Sequence, residues 1–372
     1  MIRHLLLRNF KCFDELSLTL GDLTLITGAN GAGKSTIIQS LLLLRQTNDD
    51  KVVDLHQQVK LNGDLIELND ADSMRYALSD STDVCIELTD EQRKKLAVTV
   101  KNAVTTEKVV QCTIEGDLDE ALRSWSLFGK DFVYLYADRT APSALYARGI
   151  ESGTDSRLGD KHGSRAAFRF YESMRMNEEV AVKELCLLKH NPTVFANVSA
   201  WIGEIMGNPV SISATPVSPD QISLSFSREL PGYVMELSPL NVAFGNSYIF
   251  PIVLAVLTAP AGSLLLIENP EAHLHPAAQF RMGRFLAEAS RNGIQIVVET
   301  HSDHLLNGIR VAAKETNLTD GCSVEIHYIY QDADNPELHY DERIVLEADG
   351  SLDHWPAGFF DEWELALRAI NG

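Results

Sequence analysis

Residues 28–35 read Gly-Ala-Asn-Gly-Ala-Gly-Lys-Ser, the spacing GxxxxGK[ST]. Glycines at Gly28, Gly31 and Gly33 let consecutive backbone N–H groups turn inward around a polyphosphate. A helix opening at the same point aims the positive end of its dipole at that anion. Lys34 would meet the β- and γ-phosphates and the Ser35 hydroxyl would ligate Mg²⁺, with Asn30, Ala32 and Thr36 completing the cradle. Such a cradle needs a metal partner. Residues 263–268 supply one: Ser-Leu-Leu-Leu-Ile-Glu is an apolar strand ending in a carboxylate, so Ser35 and Glu268 are the candidate metal ligands. A polyphosphate nucleotide with Mg²⁺ is therefore the expected ligand.

These residues need elements to hold them. An apolar strand at 23–27 precedes the cradle, a helix at 35–45 follows it, and strands at 2–7 and 16–20 come before both. Alternating runs at 83–88, 96–100 and 109–114 predict antiparallel strands. Residues 132–136 form another apolar strand that ends in Ala-Asp-Arg139, where a basic group meets either phosphate or an ion pair with Asp138. A glycine-dotted segment at 149–164 reads as a mobile loop. Helices follow at 165–190 and 192–206, then a hairpin of 221–227 and 233–237 turned by Pro231-Gly232. A helix at 246–258, strands at 263–267, 294–299 and 323–330, and intervening helices at 276–291 and 302–315 complete the pattern. Strand and helix alternating at this interval predict an α/β fold with a mainly parallel sheet. The division expected is an ATPase core of 1–45, 132–145 and 238–330, an antiparallel β insertion of 46–131, a helical lobe and hairpin of 146–237, and an aromatic-rich extension of 331–372.

Composition narrows the function class. Of 372 residues, 45% are hydrophobic and 23% charged, which excludes collagen-like and disordered chains. The net charge of −20 repels a phosphate backbone on average and disfavours nucleic acid as a partner. Five scattered cysteines, with no CxxC pair, read as buried free thiols in a reducing cytoplasm. The N-terminus shows no export signal. Residues 248–267 carry no charge over a bilayer's length, but Pro251, Pro260 and Gly262 divide them into a buried helix, a turn and a buried strand, so no membrane span is expected.

Further blocks make the pattern specific. They are Asn9-Phe10-Lys11 on the entry strand, Tyr134–Arg139, the run Glu268-Asn-Pro-Glu-Ala-His-Leu-His-Pro276, and Glu299-Thr-His301-Ser. With the cradle, they resemble the ABC-type ATPase heads of the SMC/RecF/OLD-like group of AAA ATPases. The resemblance implies a P-loop fold, a switch histidine at His301, and work in pairs, each ATP pinned between one subunit's cradle and the other's signature turn. Gly245, Asn246 and Ser247, at the start of a helix, fill that signature slot in trans, and His273 and His275 fall on the dimer-contact loop. The ending, Asp349-Gly350 and then Trp355 to Glu362, is similar to a subgroup whose C-terminal domain has no assigned activity.

One position departs from the pattern. Where active heads carry a water-activating Glu, this chain has Asn269, whose amide orients water but cannot accept its proton. Slow hydrolysis is expected, with either Glu271, two residues on, or the substrate itself activating the water. Neither long coiled-coil arms nor a nuclease domain is expected from these residues, so the work is expected to fall to a partner. The leading expectation is an ATPase that self-associates on ATP, as a homodimer or higher oligomer, and controls an effector such as a nuclease or toxin in anti-phage defence. A RecF-like DNA-repair ATPase and a hydrolysis-deficient, nucleotide-locked scaffold are the alternatives.

Overall fold

Strands buried along their whole length, such as 264–268 and 295–299, contrast with strands buried on one face, such as 13–19, in the computed structural model. It describes every residue except 51, 148–157, 159, 317–321, 361 and 372. Most of the loop expected at 149–164 lies outside the described residues.

In chain order the first elements are β1 (Ile2–Phe10), β2 (Phe13–Thr19), β3 (Leu23–Gly28), α1 (Lys34–Asp49), β4 (Gln58–Lys60), α2 (Ala71–Met74), β5 (Val84–Asp90), β6 (Lys95–Val100), β7 (Val109–Gly116) and α3 (Leu118–Ser124). Then come β8 (Phe132–Leu135), β9 (Tyr146–Ala147), α4 (Ala166–Met176), α5 (Val194–Met206), β10 (Ser211–Ser218), β11 (Gln221–Leu230), β12 (Tyr233–Leu237), α6 (Phe244–Thr258), β13 (Leu264–Glu268), α7 (Pro276–Arg291) and β14 (Gln295–Glu299). The chain ends with α8 (Asp303–Thr316), β15 (Val324–Gln331), β16 (His339–Val345) and α9 (Glu362–Asn371). They form two compact units, one of 2–119 with 299–372, the other of 120–298 with Met1.

In the first unit, β3 is buried at five of its six residues and pairs in parallel with β15, which carries β16 antiparallel on its other edge. Burial on both faces is what a parallel arrangement requires of a strand. The β2 strand instead alternates buried and exposed residues and lies in an antiparallel sheet of order β2-β1-β5-β6-β7-β4. The pairing departs from the division expected at residue 46. β1 has two open edges and fills one with β2 and the other with β5, through pairs such as Leu5 with Leu88, so the sheet runs straight through that boundary.

In the second unit, β8 and β13 pair in parallel, with β14 next to β13. Helix α6 is buried from Ser247 to its end, which suits a segment with no charged residue, and it packs on α5. No helix among the described residues is long and apolar enough to cross a membrane. The helix expected over 165–190 is shorter than predicted. It stops at Met176, where Asn177 turns left-handed (φ 48°) and its amide bonds back to Ser173 and Met174 carbonyls, a C-terminal cap of the kind asparagine favours. No disulfide forms among the described residues, and Cys12 and Cys85 are half-buried rather than buried.

The end of β3 makes a sharp demand on residue type. At Gly28 (φ 141°) an added Cβ would lie 2.0 Å from the Ile329 carbonyl oxygen of β15, whereas at Gly31 (φ 79°) it would meet nothing within 4 Å. Gly28→Ala is expected to cost about 3 kcal/mol or more, from clash and backbone strain together, and Gly31→Ala only about 1 kcal/mol. Urea unfolding followed by circular dichroism checks the order; equal losses would contradict it.

Candidate functional site

The glycine loop hangs between a buried strand and a long helix. Gly28, Gly31 and Gly33 all hold positive φ, conformations open to glycine and strained for other residues. Gly33 is the N-cap of α1, and that helix has neither a side-chain cap nor an acidic residue in its first turn, so its positive end is uncompensated. Lys34 is buried and its Nζ donates to the Gly28 and Ala29 carbonyls at 3.0 and 2.7 Å. Burial lowers its pKa, and the Glu299 charge opposes that shift. Asn30 and Gly31 are exposed at the tip, whereas Ala32 and Thr36 are buried at the base. An uncapped helix start, a lysine ammonium and a hydroxyl form the donor set that a magnesium polyphosphate takes.

Glu299 and Thr300, which belong to the same unit as this loop, bond to residues on either side of it. The Thr300 amide donates to the Ile26 carbonyl, and Glu299 Oε1 accepts from Ser35 Oγ at 3.0 Å. Glu299 belongs to a block quoted from the sequence, but its bond to the candidate metal-ligating serine was not foreseen. The signal was there, as an apolar strand ending in a carboxylate is what singled out Glu268. His301 is exposed, and desolvation followed by the nearby Lys34 charge lowers its pKa, which keeps the ring neutral at physiological pH.

The second unit builds the other candidate residues. Glu268 ends β13 and is buried, with Oε1 accepting from the Tyr134 hydroxyl at 2.6 Å. Burial raises its pKa; the Tyr134 bond and a backbone N–H from Ala137 pull the other way. Beyond it Asn269 is left-handed (φ 44°). Arg139, buried and with its pKa pushed down to about 10 by desolvation, donates to the Glu268 and Asn269 carbonyls and stacks 4.4 Å above the Tyr248 ring. The ion pair expected with Asp138 is not what Arg139 makes. Its guanidinium grips the turn backbone, whose left-handed residue presents two successive carbonyls. Glu271 is buried in the electrostatic reach of Arg139 and Tyr248.

At the signature position, Gly245 is needed for packing: a Cβ there would come within 3.0 Å of Leu274 and 3.1 Å of Met206. Asn246 is half-exposed in the first turn of α6. Ser247 corrects the expectation that its side chain faces another subunit. Its hydroxyl is buried and has no hydrogen-bond partner among the described residues, and Ser247 belongs to the lining of a partly open pocket of about 20 Å³. One residue further round the helix than Asn246, it lands on the inward face. His273 packs edge-on to Phe244 and Tyr248, and His275 caps α7 by accepting from the Ala277 amide.

Comparison with known proteins agrees with this frame. Family models match residues 1–146 (AAA ATPase domain), 191–307 (AAA domain, putative AbiEii toxin, Type IV TA system) and 322–370 (a protein family of unknown function). The OLD nuclease of Thermus scotoductus is 46% identical over 44 residues, so the chain matches only 8% of that curated relative's length. Among solved structures, the SMC head domain from Thermotoga maritima is 14% identical with a TM-score of 0.50, covering 92% of this chain and 99% of that one. An Smc head bound to the C-winged helix domain of ScpA (15%, TM-score 0.54) covers 93% and 98%. The Pyrococcus furiosus Smc head, with an extended coiled coil and bound to the C-terminal domain of ScpA (14%, 0.54), covers 100% and 99%. The chain thus has the ABC-type P-loop fold of these heads, and its resemblance to AAA ATPases of the SMC/OLD-like group holds.

Buried Glu268 allows a test by pH. Its folded pKa is raised, so the proton it binds stabilises the fold below the unfolded value and that contribution fades as pH rises through the folded one. Gln, neutral throughout, keeps an acceptor for Tyr134. Glu268→Gln should therefore raise the melting temperature over wild type by a margin that widens from about pH 5 to about pH 8. A margin that narrows over that range would contradict the burial argument.

Proposed function

We propose that this chain, with the fold of SMC heads and AAA ATPase matches over two of its segments, binds ATP with Mg²⁺ and hydrolyses it slowly. The observation that carries the proposal is the loop from Gly28 to Ser35, with three left-handed glycines between a buried strand and an uncapped helix start. Lys34 and the loop amides hold the β- and γ-phosphates; Ser35 and Glu268 are assigned to the Mg²⁺ by the motif resemblance. The metal neutralises charge on the phosphate oxygens. Neutral His301 reads the γ-phosphate as a hydrogen-bonding group. Asn269 orients water, and Glu271 accepts its proton.

In the wider reading, ATP drives self-association through Gly245 and Asn246, and the assembly controls an effector. Similarity to a domain family described as a putative AbiEii toxin and to an OLD nuclease favours a nuclease or toxin partner in anti-phage defence. Asn269 favours a second reading, a nucleotide-locked scaffold with no useful turnover.

Chromatography with and without ATP and Mg²⁺ separates the two. Lys34→Ala is expected to weaken ATP binding by about 100-fold and abolish an ATP-dependent shift in size. Assembly that ignores nucleotide favours the scaffold. Steady-state phosphate release is expected to fall by about tenfold or more in Glu271→Gln; unchanged release removes Glu271 from the mechanism. ATP-dependent, steeply salt-sensitive duplex binding would instead favour a DNA-repair role.

A further inference from the structure

The C-terminal hairpin reaches the glycine loop. β15 lies alongside β3, with Ile329 paired to Gly28, so the hairpin leaves the sheet beside the place where β3 becomes the loop. Asp332 then fixes a tight turn, its Oδ1 accepting from the Asp334 and Asn335 amides at 2.9 Å, and the chain returns as β16. The first residue of β16 is His339. Its Nδ1 lies 2.7 Å from the Ala32 carbonyl, and its ring packs edge-on to Phe13 at 5.9 Å. Because a carbonyl only accepts, Nδ1 carries the proton and donates.

Phe13 is fully buried and lies beneath Gly33, where a Cβ would come within 2.8 Å of its ring. His339 and Phe13 therefore hold the loop at two successive residues. In a trans peptide the C=O and N–H point to opposite sides, so the direction of the Ala32 carbonyl determines that of the Gly33 N–H. Glycine at 33 would otherwise let that peptide plane turn over at little cost.

We propose that His339 is a positioning residue for the phosphate loop: by holding the Ala32 carbonyl it aims the Gly33 N–H at the polyphosphate. The C-terminal segment, which matches a family of unknown function, is thereby a clamp on the nucleotide site. This rests on the ATP-binding reading and adds to it a structural route by which the C-terminal hairpin and nucleotide affect one another. His339 touches no phosphate; it acts through the peptide it holds.

The test uses the full chain and ATP with Mg²⁺ in calorimetry. His339→Phe keeps a ring against Phe13 but has no donor; His339→Asn keeps a donor near the Nδ1 position. We expect about tenfold weaker binding for His339→Phe and affinity within about twofold of wild type for His339→Asn, with similar melting temperatures for both. Wild-type affinity in His339→Phe overturns the proposal, as does equal loss in both variants. A second measurement needs no variant: ATP should slow amide hydrogen exchange in 332–345 of the wild-type chain as well as in the loop. Protection confined to the loop overturns the clamp while sparing the ATP reading, whereas a wild-type chain that binds no ATP defeats both.

Discussion

A carboxylate at the end of a fully buried strand is costly to hold, and this protein holds two. Glu268 closes β13 and Glu299 closes β14, each about 5–6% exposed after apolar runs. Taking an ionised carboxylate out of water costs several kcal/mol unless donors replace the lost solvent. The replacements come from elsewhere in sequence: the Tyr134 hydroxyl for Glu268, and the Ser35 hydroxyl with the Lys34 charge for Glu299. The requirement to satisfy these two acids ties the strand ends to their neighbours. At Glu299 it also fixes where α1 begins.

The same logic governs the cations. An ammonium has three donors, and Lys34 commits two of them to carbonyls of its own loop. The loop is thus closed by the residue whose charge would attract an anion, and no carboxylate on the first turn of α1 competes for that charge. Arg139 does comparable work in the other unit with backbone carbonyls in place of an acid. Its Nε has no hydrogen-bond partner among the described residues, and its favourable contacts are the two carbonyls and the Tyr248 ring, with the charges of Glu271 and Glu268 nearby.

The sequence made the chemistry-bearing strands legible because hydrophobic runs and terminal acids are local signals. Residues 23–27, 263–267 and 294–299 are near-continuous apolar runs, and each matches an observed strand to within about a residue. Pairings across long separations carry no such signal. That β1 joins β5, or that His339 meets Ala32, depends on edges and turns far apart in the chain. The inward face of Ser247 was missed for a subtler reason. A motif names residue types, whereas a helix turns about 100° between neighbours, so Asn246 and Ser247 cannot share a face.

Asn269 gains a second explanation from the backbone. Its φ of 44° lies in the left-handed region, where asparagine is enriched and a longer side chain such as glutamate is disfavoured by about 1 kcal/mol. The turn there is held on both sides, since Arg139 grips the carbonyls of residues 268 and 269 while Pro270 fixes the next φ. A residue chosen only to orient water would not need that conformation. A residue chosen only for the turn would most easily be glycine, which carries no amide. Asparagine meets the demand of the turn and would also serve the proposed orientation of water, so the departure from the usual Glu is explained by the turn as much as by the proposed chemistry.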